Sequence, residues 1–416
     1  METKIYVYAD WDLPNSSGLP APQQVGELTS SLLRNKELFN FQYSPEWLTS
    51  PYALAIDPEL HLFAGRQYSN GQNFKAFLDS CPDRWGRLLM KRREAAIARQ
   101  EDRHTRVLLE SDYLLGVHDQ YRMGGLRFKR DIDSSFLDDN DRLAAPPISS
   151  LRELEYAVSQ IEDNHQTNDP DYLKWLFMLI SPGSSLGGAR PKACVIDTDG
   201  SLWIAKFPSR YDDYDIAAWE FVVHQLAQDA GIHMAECRLQ RFNSPYHTFL
   251  TRRFDRKESH RLHFTSAMTQ LGYYDGDYEA SYLELAEFII INGSQVPQDL
   301  EQLWRRIVFN IAVSNTDDHL RNHGFILDKQ GWRLSPAFDL NPVTPAHGLH
   351  LNINESDNQL DFSLAMEVSE YFRVKPARAK AIHQEVCQSV SHWIEKAKAV
   401  GISRAEQERM AQAFRY

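Results

Sequence analysis

The sequence predicts an α+β protein with two lobes and a small β-rich subdomain at its N-terminal end. Its 416 residues suffice for one large bilobal domain or for two domains. Short predicted strands at 4–9, 41–43 and 61–64 are separated by clusters of Pro, Gly and Asn, whereas helical spacing dominates from about residue 376 onward. The predicted parts are a subdomain at 1–110, a lobe at 111–255 and a mainly helical lobe at 256–416.

Composition argues against several classes of protein. The chain is 43% hydrophobic and 25% charged, and its net charge of −12 gives no general attraction to DNA or anionic lipid. The four cysteines lie far apart, which predicts reduced thiols rather than a disulfide framework. The longest purely apolar run, 175–180, is far shorter than a membrane span, and the first residues lack the apolar core of a signal peptide. A cytoplasmic enzyme is expected from these features.

The most informative spacing is an Asp followed five residues later by an Asn, with a second Asp beyond a short hairpin. Asp317, Asn322 and Asp339 have this spacing, and predicted strands at 324–327 and 332–334 separate the Asn from the second Asp. Kinases use the first Asp to accept the proton of the substrate hydroxyl, and they hold Mg²⁺ on the ATP phosphates with the Asn and the second Asp. The spacing therefore predicts phosphoryl transfer from ATP.

A packed helix is predicted to deliver this loop. Apolar residues recur at helical spacing over 300–312, and the helix is expected to end near Ser314. Asp317 then begins a loop at the end of a buried helix. This setting makes the spacing of Asp and Asn more specific than it is alone.

A Gly/Ser loop before a predicted strand at 193–196 indicates a phosphate-binding feature. Glycine lets backbone amides approach phosphate oxygens, and Lys192 adds a positive charge beside them. A Walker loop is disfavoured, because Ala189 and Arg190 stand where its Lys and its Ser or Thr would be. Taken alone, the segment is equally well an ordinary flexible turn. The loop residues expected to contact a nucleotide are Gly183, Ser184, Ser185, Gly187 and Gly188.

Lys206 and Glu220 are predicted to form the ion pair that positions ATP phosphates in kinases. Lys206 shares a face of the predicted strand 201–207 with apolar residues, an unusual place for a Lys that meets no anion. Glu220 lies on the apolar side of a helix that Asp215 is expected to cap and that runs to about residue 230. A carboxylate there should be buried and paired. Either residue alone could be an ordinary charged side chain that reaches solvent at the edge of a domain. That explanation does not account for the ordered set of Gly loop, strand Lys, helix Glu, Asp with Asn, and second Asp.

The segment 248–256 is expected to connect the two lobes. Its extended backbone would bond the adenine edge, with Arg253 at the nucleotide and Phe254 packed on the ring. An ordinary strand end explains this segment nearly as well.

Together these residues resemble the HipA family of serine/threonine kinase toxins from bacterial type II toxin–antitoxin modules. The resemblance covers nearly the whole chain and includes segments without any catalytic logic of their own. It implies a bilobal core distantly related to protein and phosphatidylinositol kinases, joined to a small N-terminal subdomain. The matching segments are 25–28, 81–86, 121–128, 185–192, 253–256, 315–322 and 337–340.

The resemblance implies ATP and Mg²⁺ as cofactors and assigns a role to individual residues. The implied roles are Asp317 as catalytic base, Asn322 and Asp339 as Mg²⁺ ligands, Lys206 as phosphate-binding lysine, His319 as support of the catalytic loop and Phe254 beside adenine.

Regulation, substrate and partner are also implied by the resemblance. Family members phosphorylate a Ser of the Gly loop; Ser185 is the best-aligned position, and Ser184 lies beside it. A phosphate on either would repel the phosphates of ATP. Known substrates of the family are aminoacyl-tRNA synthetases, and the usual partner is a HipB-like helix-turn-helix antitoxin. DNA contact is expected mainly through that partner, given the acidic balance of this chain.

Two other functions fit the same residues. A lipid or small-molecule kinase is one, because the spacing of Asp317, His319 and Asn322 also matches the loop of phosphatidylinositol kinases. A non-catalytic regulatory protein on a degenerate kinase fold is the other, which the presence of all the expected catalytic residues disfavours. His319 and His323 beside Asp317 suggest zinc only weakly, since an HExxH motif is absent and Mg²⁺ already accounts for the site.

Overall fold

Strands and helices are interspersed along the computed structural model, which describes residues 2–12, 18–34, 36–70, 72–139, 145–163, 171–180, 190–258, 260–277 and 279–416. The α+β class and the β-rich N-terminal region are confirmed. The strands are β1 (Glu2–Ala9), β2 (Gln23–Leu33), β3 (Lys36–Tyr43), β4 (Arg66–Tyr68), β5 (Leu126–Lys129), β6 (Lys192–Ile196), β7 (Leu202–Lys206), β8 (Cys237–Arg241), β9 (His247–Arg252), β10 (Arg256–Lys257), β11 (His260–Arg261), β12 (Phe264–Ser266), β13 (Gly324–Asp328) and β14 (Gly331–Leu334). The α-helices are α1 (Pro45–Leu48), α2 (Lys75–Leu78), α3 (Arg84–Gln100), α4 (Glu110–Leu115), α5 (Leu151–Glu162), α6 (Tyr172–Leu179), α7 (Ile216–Asp229), α8 (Ala267–Gln270), α9 (Tyr282–Asn292), α10 (Val296–Val313), α11 (Phe362–Glu367), α12 (Pro376–Val390), α13 (Trp393–Val400) and α14 (Arg404–Met410).

The first compact unit comprises Met1–Arg210 and Asp255–Thr265. An antiparallel sheet with the order β4-β3-β2-β1-β5 forms its N-terminal part. Along β1, Ile5, Val7 and Ala9 are fully buried, while Tyr6 and Tyr8 between them are partly exposed. This alternation is that of a strand with one face on a core.

The prediction of a strand at 61–64 is wrong. That segment forms bends, and the strand lies slightly later, as β4. The Gln67 side chain accepts from the backbone N of His61 at 2.8 Å and donates to its carbonyl oxygen at 2.9 Å. These bonds satisfy the His61 backbone without a neighbouring strand. The long strand β2 was not predicted, because its Gly, Ser and Thr content is typical of turns.

The second compact unit comprises Tyr211–Phe254 and Ser266–Tyr416. Its core surrounds α10, whose Leu303, Ile307 and Ile311 are fully buried, and α9 and α12 pack against this helix. Most of the length of α10 is buried, as suits a helix in the middle of a large core.

Several predicted boundaries in this unit are confirmed. α10 ends at Val313 and is followed by Ser314 in the left-handed conformation. Asp215 caps α7 by accepting from the backbone N of Ala218 at 3.1 Å. The strands predicted after Asn322 are β13 and β14, which pair as an antiparallel hairpin.

Two further expectations concern the whole chain. All four cysteines, Cys81, Cys194, Cys237 and Cys387, are free thiols, as predicted. In the described part of the chain, every helix is too short or too polar to span a membrane.

Candidate active site

The loop that carries Asp317 starts from a tightly held turn at the end of α10. Ser314 is buried with φ 51°, a conformation that a residue other than glycine adopts at a cost. Its carbonyl oxygen accepts from the backbone N of Val343 at 3.2 Å, and its hydroxyl accepts from Arg415 Nε at 3.2 Å. The backbone N of Arg415 also donates to the Ala312 carbonyl at 2.7 Å, which satisfies a carbonyl of the last helical turn. The start of the predicted catalytic loop is thus held by contacts from two segments, at Val343 and at Arg415.

Asp317 is exposed, although most residues around it are buried. Its carbonyl oxygen accepts from the backbone N of His319 at 3.1 Å and from Asn322 Nδ2 at 3.1 Å. The loop therefore folds back on itself, with the Asn322 amide bound to the backbone of the residue predicted as base. The Asp317 side chain is left exposed to solvent.

His319 lies in the middle of this loop. Its carbonyl oxygen accepts from the backbone N of Asn322 at 2.8 Å, and its ring meets that of His350 edge-on at 5.8 Å. Burial lowers the pKa of His350, and the neighbouring His319 lowers it further. A neutral ring at His350 is therefore favoured beside His319.

Asp339 is held in a conformation that few residues other than glycine adopt, with φ 60°. The residues before it are well anchored. Ala337 donates its backbone N–H to the His233 carbonyl at 2.8 Å, and the Phe338 ring stacks on Phe254 with centroids 5.6 Å apart. Such strain persists where the surrounding structure enforces it, and it is common at functional sites.

The donor atoms of Asn322 and Asp339 fit a magnesium ion. Asn322 is buried, and its Oδ1 has no hydrogen-bond partner in the described parts of the chain. A buried amide oxygen without a hydrogen-bond donor is able to bind a cation instead. Mg²⁺ binds amide, carboxylate and phosphate oxygens. Where the structure is described, no group of three His, Cys, Asp or Glu side chains is placed to hold a metal. An ion bound here would complete its coordination with phosphate and water.

Buried polar residues on α10 support the loop and the hairpin, and the sequence interpretation missed them. Asn310 Nδ2 donates to Asp318 Oδ2 at 2.8 Å, and Arg306 Nη2 donates to the Ser335 carbonyl at 2.5 Å. Burial lowers the pKa of Arg306 to about 10. The sequence does contain a signal for these supporting residues. Arg306 and Asn310 are polar and lie four positions apart, on one face of an otherwise apolar helix.

The predicted nucleotide residues fall in different parts of the structure. Gly183, Ser184, Ser185, Gly187 and Gly188 lie outside the described residues. Lys206 ends β7 in the first unit, and Glu220 lies buried on α7 in the second, so their ion pair stays a prediction. The remaining predicted contacts, the buried Arg253 and its neighbour Phe254, follow β9.

Lys192 has a buried partner that the sequence did not reveal. Its Nζ lies 2.8 Å from Asp83 Oδ2, and both side chains are at least 95% buried. Asp83 also caps α3 by accepting from the backbone N of Gly86 at 2.8 Å. The segment around Asp83 thereby gains a structural role, since it joins the start of α3 to the start of β6.

Replacing Lys192 by Met is expected to lower the free energy of unfolding by about 3 kcal/mol, because Asp83 would stay buried without its countercharge. Urea denaturation measures this effect, and Lys91→Met, at an exposed lysine on α3, is the matched control. Unchanged stability together with weaker ATP binding would instead assign Lys192 to the nucleotide alone.

Two other matched segments, 121–128 and 253–256, contribute residues to the first unit that contact each other, Gly124 and Asp255. Arg122 is fully buried and donates to the carbonyl oxygens of Val117 and Leu137 at 2.9 and 3.1 Å. Burial lowers the pKa of Arg122 to about 10. The carboxylate of Asp255 accepts from the backbone N of Gly124 at 2.9 Å. The contacts of Arg122 and of Asp255 with Gly124 therefore stabilise the first unit.

The chain is similar to a known family and to two curated proteins. The family model of the HipA-like C-terminal domain matches residues 184–394, just over half of the chain. A protein of Haemophilus influenzae named "Putative kinase" is 25% identical over 211 residues, 44% of this chain and 61% of the relative. "Putative kinase Y4mE" of Sinorhizobium fredii is 25% identical over 182 residues, 38% of this chain and 41% of the relative. The chain thus covers less than two thirds of each of these relatives.

A solved structure matches over almost the full length. It is the Shewanella oneidensis HipA from a complex with HipB and operator DNA; the TM-score is 0.65 with 18% identity, over 94% of this chain and 93% of that one. This match confirms the predicted HipA-like fold. With the family model across half of the sequence, it confirms the resemblance found in the motifs, and the chain belongs to the HipA family.

Proposed function

We propose that this protein is an ATP-dependent serine/threonine-protein kinase toxin of a HipBA-type toxin–antitoxin module. The observation that carries the proposal is the loop after α10. It leaves Asp317 exposed, and it binds Asn322 through its Nδ2, while Asn322 Oδ1 has no hydrogen-bond partner among the residues that the structure describes. Membership of the HipA family and the names of the two curated relatives support the same chemistry.

The Asp317 carboxylate accepts the proton of the substrate hydroxyl as that oxygen attacks the γ-phosphorus of ATP. A new bond forms between the hydroxyl oxygen and phosphorus, and the bond from phosphorus to the bridging oxygen of ADP breaks, with its electron pair leaving on ADP. Asn322 and Asp339 would hold Mg²⁺, which when bound neutralises charge on the phosphates. The exposure of Asp317 supports this role, since a protein hydroxyl must reach it.

The nucleotide contacts in this proposal are those expected from the sequence. Lys206, paired with Glu220, would bind phosphate, and the Gly loop would supply backbone amides. Arg253 and Phe254 would lie at the nucleotide, with Phe254 beside adenine. The stacking of Phe254 on Phe338 supports this assignment. Phe338 directly precedes Asp339, so the Phe254 ring contacts the neighbour of a predicted Mg²⁺ ligand.

The proposed substrate is a cytosolic protein, an aminoacyl-tRNA synthetase being the first candidate, whose phosphorylation inhibits growth. The proposed partner is a HipB-like helix-turn-helix antitoxin, which would bring this chain to DNA only indirectly. The Shewanella complex with HipB and operator DNA supports this partner. The site of action would be the cytoplasm.

Incubation of the purified protein with Mg-ATP tests the proposed activity. ADP release that depends on Mg²⁺, with transfer of the γ-phosphate to protein serine or threonine, is the expected result. A phosphoproteome recorded after induction in the host would then name the target, and growth arrest is expected. Binding of Mg-ATP without any turnover would overturn the kinase assignment, and transfer only to lipid or a small molecule would overturn the protein substrate.

Autophosphorylation of the Gly loop is a separate prediction. Mass spectrometry after incubation with ATP is expected to find phosphate on Ser185 or Ser184, and turnover should fall as the phosphate accumulates, because it repels the phosphates of ATP. Ser185→Ala and Ser184→Ala identify which residue is modified. An unmodified loop in an active enzyme would remove this form of regulation.

A further inference from the structure

Three hydrogen-bond donors bind one carboxylate oxygen of Asp318, a buried residue of the proposed catalytic loop. Asp318 Oδ2 accepts from Tyr282 Oη at 2.5 Å, from Asn310 Nδ2 at 2.8 Å and from His323 Nε2 at 2.8 Å. All four side chains are buried. We name Asp318, Tyr282, Asn310 and His323 the Asp318 hub.

The hub joins the two ends of the proposed catalytic loop. Asp318 directly follows Asp317, and His323 directly follows Asn322. The bond between Asp318 and His323 therefore fixes the separation of the proposed base from the proposed metal ligand. Tyr282 and Asn310 in turn attach this closed loop to α9 and α10.

A continuing chain of hydrogen bonds reaches the segment that carries Asp339. The Asn310 Oδ1 accepts from Asn315 Nδ2 at 3.1 Å, and Asn315 Oδ1 accepts from the backbone N of Asn341 at 3.3 Å. Asn341 lies two residues after Asp339. Buried hydrogen-bond networks of this kind restrict the loop to one geometry, because each broken bond would leave a buried polar group without a partner.

The same contacts distinguish the two adjacent aspartates, which the sequence alone ranks only by spacing. Asp318 is 1% exposed and its Oδ2 is occupied, whereas Asp317 is exposed. Burial alone would raise the pKa of Asp318, but His323 and the Tyr282 hydroxyl lower it overall. An ionised carboxylate is a pure acceptor, as three converging donors require.

We propose that Asp318 is a positioning residue, which sets Asp317, Asn322 and Asp339 in place for phosphoryl transfer through His323 and Asn310. This role rests on the proposed function. Asp318 is not itself a catalytic residue, since its carboxylate is buried and engaged by the protein. Its effect should fall on kcat rather than on binding of the nucleotide, because a small misplacement of reacting groups costs rate.

The test compares Asp318→Asn with Asp299→Asn. Asp299 is a matched control, because it is a buried carboxylate on α10 that accepts from Arg333 and from the backbone N of Leu334. It lies about three helical turns from Asn310. We expect Asp318→Asn to lower kcat per folded molecule by about 100-fold, with the Kd for ATP in EDTA unchanged. Tyr282→Phe, which removes one donor of three, should lower kcat by roughly 5-fold, and Asp299→Asn by less than about 2-fold.

Amide hydrogen exchange over 315–323 supplies a readout that does not require turnover. Exchange is expected to accelerate at least about tenfold in Asp318→Asn and to stay unchanged in Asp299→Asn. Equal kcat in the two variants, or unchanged exchange in Asp318→Asn, would overturn the positioning role. If the wild-type protein binds Mg-ATP without turnover while the exchange result holds, the kinase function and its positioning residue fall together, and only a structural clamp of the loop is left.

Discussion

Replacing Asp317 by Asn is expected to lower ATP-dependent phosphoryl transfer by roughly 10²–10⁴-fold, the range for loss of a positioned general base. The amide keeps the size of the side chain but cannot accept the proton of the substrate hydroxyl. Because Asp317 is exposed and contributes its backbone carbonyl to the loop, the bond from Asn322 should survive. Initial rates of ADP release and of protein phosphorylation measure the effect.

Asp277→Asn is the control for this experiment, since Asp277 is another exposed carboxylate of the same compact unit. Its turnover and the melting temperatures of both variants should match those of the wild type. Near-normal transfer by Asp317→Asn would show that another group accepts the proton. Asp318 is not a ready substitute, because its carboxylate is buried and engaged by three donors.

The parts of the site that follow from local chemistry were predictable. Apolar periodicity located the end of α10 near Ser314, and the carboxylate at Asp215 predicted the cap of α7. The hairpin between Asn322 and Asp339 followed from its turn residues. In each case the signal lies within a few residues of the feature that it predicts.

The parts held by distant contacts were not predictable. Tyr282 lies 36 residues before the carboxylate that it binds, and nothing in a helical or strand period relates the two. The pairing of Lys192 with Asp83 spans a still longer stretch of chain, and it is visible only when both residues are found buried together. The strand at β2 was missed for a similar reason, because pairing on both edges overrides the weak strand preference of its Gly and Ser residues.

Replacing Asp255 by Ala is expected to lower the stability of the first unit by about 3–5 kcal/mol, the usual cost of breaking a buried ion pair. Asp255 is fully buried, and its carboxylate accepts from Arg256 Nη1 at 2.5 Å and from the backbone N of Gly124 at 2.9 Å. Alanine would leave the Gly124 amide without this acceptor and the Arg256 guanidinium without its countercharge, although the guanidinium still donates to backbone carbonyls. Urea denaturation followed by tryptophan fluorescence measures the change.

The controls for Asp255→Ala separate a lost charge from a lost contact. Asp133→Ala, at an exposed carboxylate of the same unit, should change stability by less than about 0.5 kcal/mol. Removing Arg256 as well should recover part of the loss, because the uncompensated charge goes with it. A loss below about 1 kcal/mol in the single variant would contradict the buried-pair account.

Asp255 and Asp317 both lie in segments that resemble the HipA family, yet one is fully buried and the other exposed. Burial, which the motif does not encode, therefore determines that one variant should lose stability and the other only turnover.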